Sequence, residues 1–524
     1  MSRLTGIGDP QYDNEVKQLW TSYHRWTAFA VLTACFCTGC IVDFSSVGKP
    51  DSTVSADGAQ PDGAVITDGE AADGSAGDGT ADGFSADGAI NDGVADDGAM
   101  GDSQTPDGQP VCDPDECPLG CHPSENRCNR IEPSNYSTTD FHDAISAGLE
   151  LSSDEHVVVN TQNGSIEGDE TYRQAGAPGD VRQGIYFDVV SQVDGPELAV
   201  IGVRFIDVAQ TATIEISGER AVAFYVVEDV SLAGIIEAKA QNRAPGPGGR
   251  AGGYSNGDDG APCGAGGAGI GGAQDPAYPV ESGGGGGANG GTGGRGGNVD
   301  YNGYQVDGGW GGAPLGNAAL IPLQGGCGGG AGGGPDPNGN NGLGGDGGSG
   351  GGGGGAVQIT AGGSIEIVVG GGIDVGGGGG QGGQYGGGGG GGGAGGSILL
   401  EGASVQNNGL LAANGGGGGA GGENTDYPQS ENGMSGAFAH TTAAGGNGMF
   451  GEGGLCSGVT CYGGDGGGGA GATAQHGGDG VDEGANTGGG GGGGGRIRIN
   501  YAHTLYQGLV SPVNASTHQG LSTW

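Results

Sequence analysis

The chain has 524 residues, of which 138 are glycine, 60 are Asp or Glu and 16 are Lys or Arg, for a formal net charge of −44. So acidic a chain repels phosphate backbones, which argues against nucleic acid as a partner. Hydrophobic residues reach 34% and aromatics 6%, too few for a large conventional core, and the glycine excess makes backbone entropy the first cost to explain.

Residues 1–40 read as an export segment. From Arg25 the chain runs RWTAFAVLTACFCTGCIVDFSS. The apolar run Trp26 to Ala34 is too short and too rich in Thr and Cys for a membrane span, and it suits the hydrophobic region of a secretory signal. It resembles a bacterial lipoprotein signal, in which a lipid-modified cysteine becomes the first mature residue. Cys40 is the preferred lipidation site, because it gives the fuller apolar region and a mature start of CIVDFSS. Cys35, in Leu32-Thr33-Ala34-Cys35, matches the box more literally and is the alternative. Residue +2 would be Ile41 or Phe36 and not Asp, which the resemblance takes as sorting to the outer membrane. An uncleaved signal anchor is the competing reading, since Met1 to His24 is long for such a signal.

Residues 41–111 follow as an acidic linker of loose units such as SADGA, QPDGA, AADGS and TADGF, with aspartate recurring from Asp57 to Asp107. Almost no large apolar residue interrupts it, so it cannot bury enough surface to fold alone. Like charges along a glycine-containing chain keep it extended. Calcium loops need several ligands converging in one loop, and this spacing has none. Residues 112–130 form a small cysteine module, with Cys112, Cys117, Cys121 and Cys128 in CDPDECPLGCHPSENRC. The spacing does not match paired zinc hooks, and after an export signal two disulfides are the better reading. Their pairing is open.

Residues 131–244 carry the most ordinary composition. TTDFHDAISAGL at 138–149 predicts a short amphipathic helix capped by Thr138 or Thr139. The period then changes to two in HVVVNT (156–161), GIYFDVV (184–190), LAVIGVRFIDV (198–208), ATIEIS (212–217), AVAFYVV (221–227) and DVSLAGIIEA (229–238). These are short strands divided by Gly, Asp, Asn or Ser. Little room for crossover helices leaves a sandwich or a parallel β-solenoid, and the helix would cover the open end of the latter.

Residues 245–512 repeat the strand unit between glycine tracts: AVQITA and SIEIVVGGGIDV, then SILLEG and ASVQNNGLLAANGG, then RIRINY and HTLYQGLVSP. One unit cannot bury its own apolar face, so neighbours must stack. The fold expected is all-β, a parallel β-helix or solenoid with long glycine-rich insertions, preceded by the disordered acidic tether and followed by a tail at 513–524. Composition alone makes the tracts mobile loops. The other reading is extended helices of three residues per turn, the glycine counterpart of polyproline II, packed side by side as polyglycine II bundles. Cys263 with Cys327, and Cys456 with Cys461, are candidate staples of those insertions.

The lipoprotein start, acidic tether, cysteine module and glycine-rich repeats together resemble large glycine-rich surface lipoproteins of predatory and soil deltaproteobacteria. The resemblance implies a cell-envelope location and brings no catalytic residues. Chance G-x-G-x-x-G matches lack the setting of a dinucleotide site. GGDGVDEGA at 477–485 opens like a calcium nonapeptide, but Gly484 stands where a large apolar residue is needed. A polysaccharide-acting solenoid would need clustered carboxylates. Asp188, Arg204, Asp207, Glu215, Glu228 and Glu237 are available, although solvated strand faces give the same alternation. His156, His440, His476 and His503 are scattered. The expected function is therefore that of a non-enzymatic surface protein without cofactor or metal. It would be held to the outer membrane by lipid, with surface polysaccharide or envelope proteins as partners.

Overall fold

The computed structural model describes residues 112, 119–121, 128–138, 141–254, 257–263, 268–273, 281–301, 304–334, 346–384, 387–422, 430–447, 473–476, 480–481, 487–513 and 516–520. The chain divides into two compact units, Met1–Gly98 and Ala99–Trp524, and every described residue belongs to the second. The export segment and the whole of the linker lie outside the described residues.

The expected helix at 138–149 does not form. A single 3-10 turn, His142–Ala144, is all that occurs, and Ile145 is already extended. The reason is competition for donors, because the Ser146 and Ala147 amides both bond to the Gly184 carbonyl, joining the sheet in place of a second helical turn.

Strands β1 (Leu149–Leu151) and β2 (His156–Asn160) begin the sheet. Four short pieces follow: β3 (Ile166–Glu167), β4 (Thr171–Arg173), β5 (Asp180–Arg182) and β6 (Ile185–Val190). They pair antiparallel, β2 with β3, β3 with β4 and β5 with β6. Arg173 is buried among them, bonded to the carbonyls of Gly164, Gln174, Asp180 and Ile185 and stacked over Phe187. Next come β7 (Leu198–Val203), β8 (Ile206–Val208), β9 (Thr213–Ser217), β10 (Ala221–Val226), β11 (Val230–Leu232) and β12 (Ile235–Glu237). In the glycine region β13 (Val299–Tyr301) and β14 (Tyr304–Val306) form a hairpin. The long strands there are β15 (Ala356–Ile367), β16 (Gly372–Asp374) and β17 (Ser397–Ala412). After them β18 (Gly480–Val481) joins β13, and β19 (Arg496–Ser511) and β20 (Ser516–Gly520) end the series. The supposed tail thus contains a strand, because β20 takes the free edge of β19 in register Ile497↔Ser516 to Tyr501↔Gly520.

The result is almost all β, one large, nearly closed, mixed sheet. Only the antiparallel pieces and β6 against β7 break its parallel pairing. Three parallel ladders can be followed through it. One stacks Ile201, Phe224, Ile359, Leu400 and Ile499. A second stacks Leu149, Ile206, Val230, Ile365, Val405 and Leu505. The third stacks Val157, Ile214, Ile236, Ile373, Leu411 and Val510. All three belong to one apolar cluster, within which nearly every member is inaccessible to water. Like residues on successive strands are what an in-register parallel sheet needs, since each β-branched side chain packs on its copy above and below.

The glycine tracts are buried and hydrogen-bonded, with partners that recur at every third residue. Tract 388–396 sits among six others. The amides of Gly388, Gly391 and Ala394 donate to Gly333, Gly330 and Cys327. Those of Gly389, Gly392 and Gly395 donate to Thr487, Gly490 and Gly493, and those of Gly390, Gly393 and Gly396 to Gln381, Gly378 and Val375. Its carbonyls accept from Gly348, Gly351 and Gly354, from Gly284 and Gly287, and from Gly416 and Gly419. Fixing each residue costs about 1–2 kcal/mol of backbone entropy and each bond contributes about 1 kcal/mol net. The bonds alone cannot hold the tracts, so close backbone packing must supply the remainder.

Candidate functional site

Substituting a Cβ at most tract glycines would drive it into a neighbouring backbone carbonyl; at Gly392 the obstacle is Gly416, at Gly391 Gly285 and at Gly389 Gly419. The packed tracts therefore leave no room for a side chain at these positions, and the large exposed side chains lie at the rim. Trp310 and Tyr254 are about two-thirds exposed there, as is Met434. Arg295 stacks over Trp310 at 4.3 Å and Arg243 over Tyr254 at 4.9 Å. Arg295 also pairs with Asp307 at 2.8 Å and its amide donates to His476 Nδ1. Each ring is thus braced on one side by a guanidinium, a geometry that holds an aromatic plane outward as a contact surface.

The carboxylates singled out from sequence are divided among four places. Asp188 accepts from the Tyr186 hydroxyl, and Arg204 pairs with Glu228 at 2.7 Å. Asp207 lies between Glu150 and Ser231 in the second ladder. Glu215 and Glu237 do come together, as neighbours in the third ladder, and the next position is Asp374. His156 bonds Glu215 at 3.1 Å and Lys239 bonds Glu237 at 2.8 Å. A cleft of about 220 Å³ opens beside Glu215, Glu237, Lys239 and Gln241.

Asp374 was not singled out from sequence, although GID at 372–374 echoes IIE at 235–237 one repeat earlier. It is buried, accepts from the Gly376 amide, and is pushed up to about 6 by burial, with Lys239 opposing. An acid raised on folding binds more protons folded than unfolded, so stability falls as pH rises from about 4 to about 6. The loss across that window is about 3 kcal/mol, on the order of two pKa units. Asp374→Asn keeps an acceptor for Gly376 and should flatten this part of the pH profile, read as urea midpoints at pH 4, 5 and 7. An unchanged slope would show that Asp374 is not the group responsible.

Among the cysteines, Cys112 is bonded to Cys121 and Cys263 to Cys327, and Cys128 is also disulfide-bonded. The second bridge joins two glycine tracts 64 residues apart. Cys117, Cys456, Cys461 and both lipidation candidates, Cys40 and Cys35, lie outside the described residues.

From the cysteine module the chain crosses the outer face of the first ladder as a strap. Leu119 and Ile131 pack on Ala403, and Ala502 lies against them. Ser134 bonds Glu401, Asn135 bonds Gln358, and His142 bonds the Tyr225 hydroxyl at 2.7 Å. Phe141 stacks on Tyr186 with ring centroids 4.2 Å apart. The strap therefore touches β17, β15, β10 and β6 in turn. Its fixed point is Glu401, buried at 1% exposure, which accepts from Ser134, Gln358, Thr360 and Asn500. Sequence reasoning missed this residue, and the one available signal was a carboxylate closing the apolar run SILLEG.

Among the described residues no three His, Cys, Asp or Glu side chains gather as a metal site, and no helix is long and apolar enough to cross a membrane. Compared with protein-family models, with curated proteins and with solved structures, the chain matches none.

Proposed function

We propose that this is a lipid-anchored cell-surface protein, structural or adhesive in function, that displays a rigid glycine-rich β-scaffold. In this reading the three in-register ladders are the faces of a parallel β-solenoid, and each glycine tract is a polyglycine II helix inserted between rungs. A three-residue hydrogen-bond period with partners on every side is what three residues per turn gives. The observation that carries the functional reading is the bundle itself. It spends much of the chain on a body whose glycine tracts pack backbone against backbone, and leaves large exposed residues such as Trp310 and Tyr254 at its rim. Such a body suits contact with something large and flat. The acidic linker would hold it off the membrane.

Protease added to intact cells should remove the protein, and the purified chain should bind to envelope material more weakly after Trp310→Ala and Tyr254→Ala. Full protection on intact cells with a sealed outer membrane would overturn the surface reading. A second reading, binding or cleavage of polysaccharide, is favoured by the Glu215, Glu237 and Lys239 cleft. It predicts retention on a glycan panel, or new reducing ends, both lost in Glu237→Gln.

A further inference from the structure

Glu281 opens a glycine tract and is fully buried, yet neither of its carboxylate oxygens meets a hydrogen-bond donor. The other deeply buried carboxylates behave differently, for Glu401 accepts from four residues and Asp374 from Gly376. The backbone network locates the corner in which Glu281 sits. The Ser282 carbonyl accepts from Gly333, the Gly333 carbonyl from Gly388, and the Gly388 carbonyl from Gly348. Asp346, two residues before Gly348, is exposed, and its carbonyl accepts from Gln384. Burial and the nearby Asp346 charge together push Glu281 up to about 9. No Lys or Arg occurs between Arg295 and Arg496, so the tracts that meet at this corner from Asp346 onward bring no side-chain cation to it. An ionised carboxylate held out of water without a counter-charge is costly.

We propose that this corner of the glycine bundle is a site for a hard divalent cation of the Ca²⁺ type, held by the carboxylates of Glu281 and Asp346. Ions of this class take carboxylate and backbone carbonyl oxygens together, and a glycine bundle lets carbonyls approach closely because no Cβ intervenes. Binding would neutralise a buried carboxyl whose two oxygens both lack a hydrogen-bond partner, and would fix the edge of the bundle.

The test uses the full chain, stripped with EDTA and then titrated with CaCl₂ at pH 7.5, with thermal unfolding and calorimetric binding as readouts. Ca²⁺ should raise the unfolding temperature by several degrees, as ligand linkage requires. Glu281→Gln should abolish that shift and be more stable than wild type in EDTA. Asp346→Asn, an exposed position that leaves the bundle intact, should weaken Ca²⁺ at least tenfold. No shift in wild type, or an equal shift in both variants, would overturn the proposal and leave Glu281 as a buried protonated acid.

Discussion

Gly392→Ala should cost about 3 kcal/mol or more, at the upper end of what overpacking does in ordinary cores. The added methyl would enter the space of the Gly416 carbonyl, which is backbone and already committed to its own neighbours. Nothing at that point is the flexible end of a side chain, so the tract must move, and with it the bonds of Gly392 to Gly490 and of Gly287 to Gly392. Gly389→Ala, directed at Gly419, should cost as much, and the double variant should melt the tract. The control is Ala394→Gly in the same tract. Ala394 is buried and natural to the site, so its loss should cost only about 1 kcal/mol through backbone entropy. Urea unfolding followed by hydrogen exchange of the glycine amides reads both effects. If Gly392→Ala were tolerated as well as Ala394→Gly, the tracts would not be packed against one another as described.

That contrast marks what the sequence could and could not carry. The strands were legible because their apolar residues alternate, and because AVAFYVV, AVQITA, SILLEG and RIRINY are near-copies that must stack to be buried. Their register follows from nothing more than like residues aligning. The order of the glycine tracts was not legible in the same way. A glycine run is compatible with a mobile loop and with a packed helix, and the difference lies in six neighbours drawn from distant parts of the chain. The mistaken helix at 138–149 has a similar origin, for its apolar spacing was genuine but Gly184 captured the amides a helix would have used. Buried carboxylates are the extreme case. Glu281, Asp374 and Glu401 look like any surface acid in sequence, and only their surroundings set them apart. For Glu401 the decisive partner, Ser134, is 267 residues away.

Glu401→Ala should detach the strap, at a cost of about 3–5 kcal/mol, the usual loss when one member of a buried charged network is removed. Four residues lose their acceptor at once: the Ser134 amide and hydroxyl, Gln358 Nε2 at 2.7 Å, Thr360 Oγ1 at 2.9 Å and Asn500 Nδ2 at 3.1 Å. Water cannot easily replace the carboxylate, because the strap itself covers it. Glu401→Gln keeps the shape but turns one acceptor into a donor facing other donors, so it should fall between wild type and alanine. The position of the damage matters more than its size. Protease should then cut between residues 128 and 145 while the glycine amides of tract 388–396 remain protected, because that tract is held by its own backbone bonds to neighbouring tracts. Any pull transmitted from the cysteine module reaches the sheet first near Ala403 and Glu401 and only later the Phe141–Tyr186 stack. It loads the strap along its length across several strands, and contacts sheared together resist better than contacts peeled one by one. If Glu401→Ala left the strap as resistant to protease as wild type, the aromatic stack would be the true fixed point, and Phe141→Ala would be the variant that releases it.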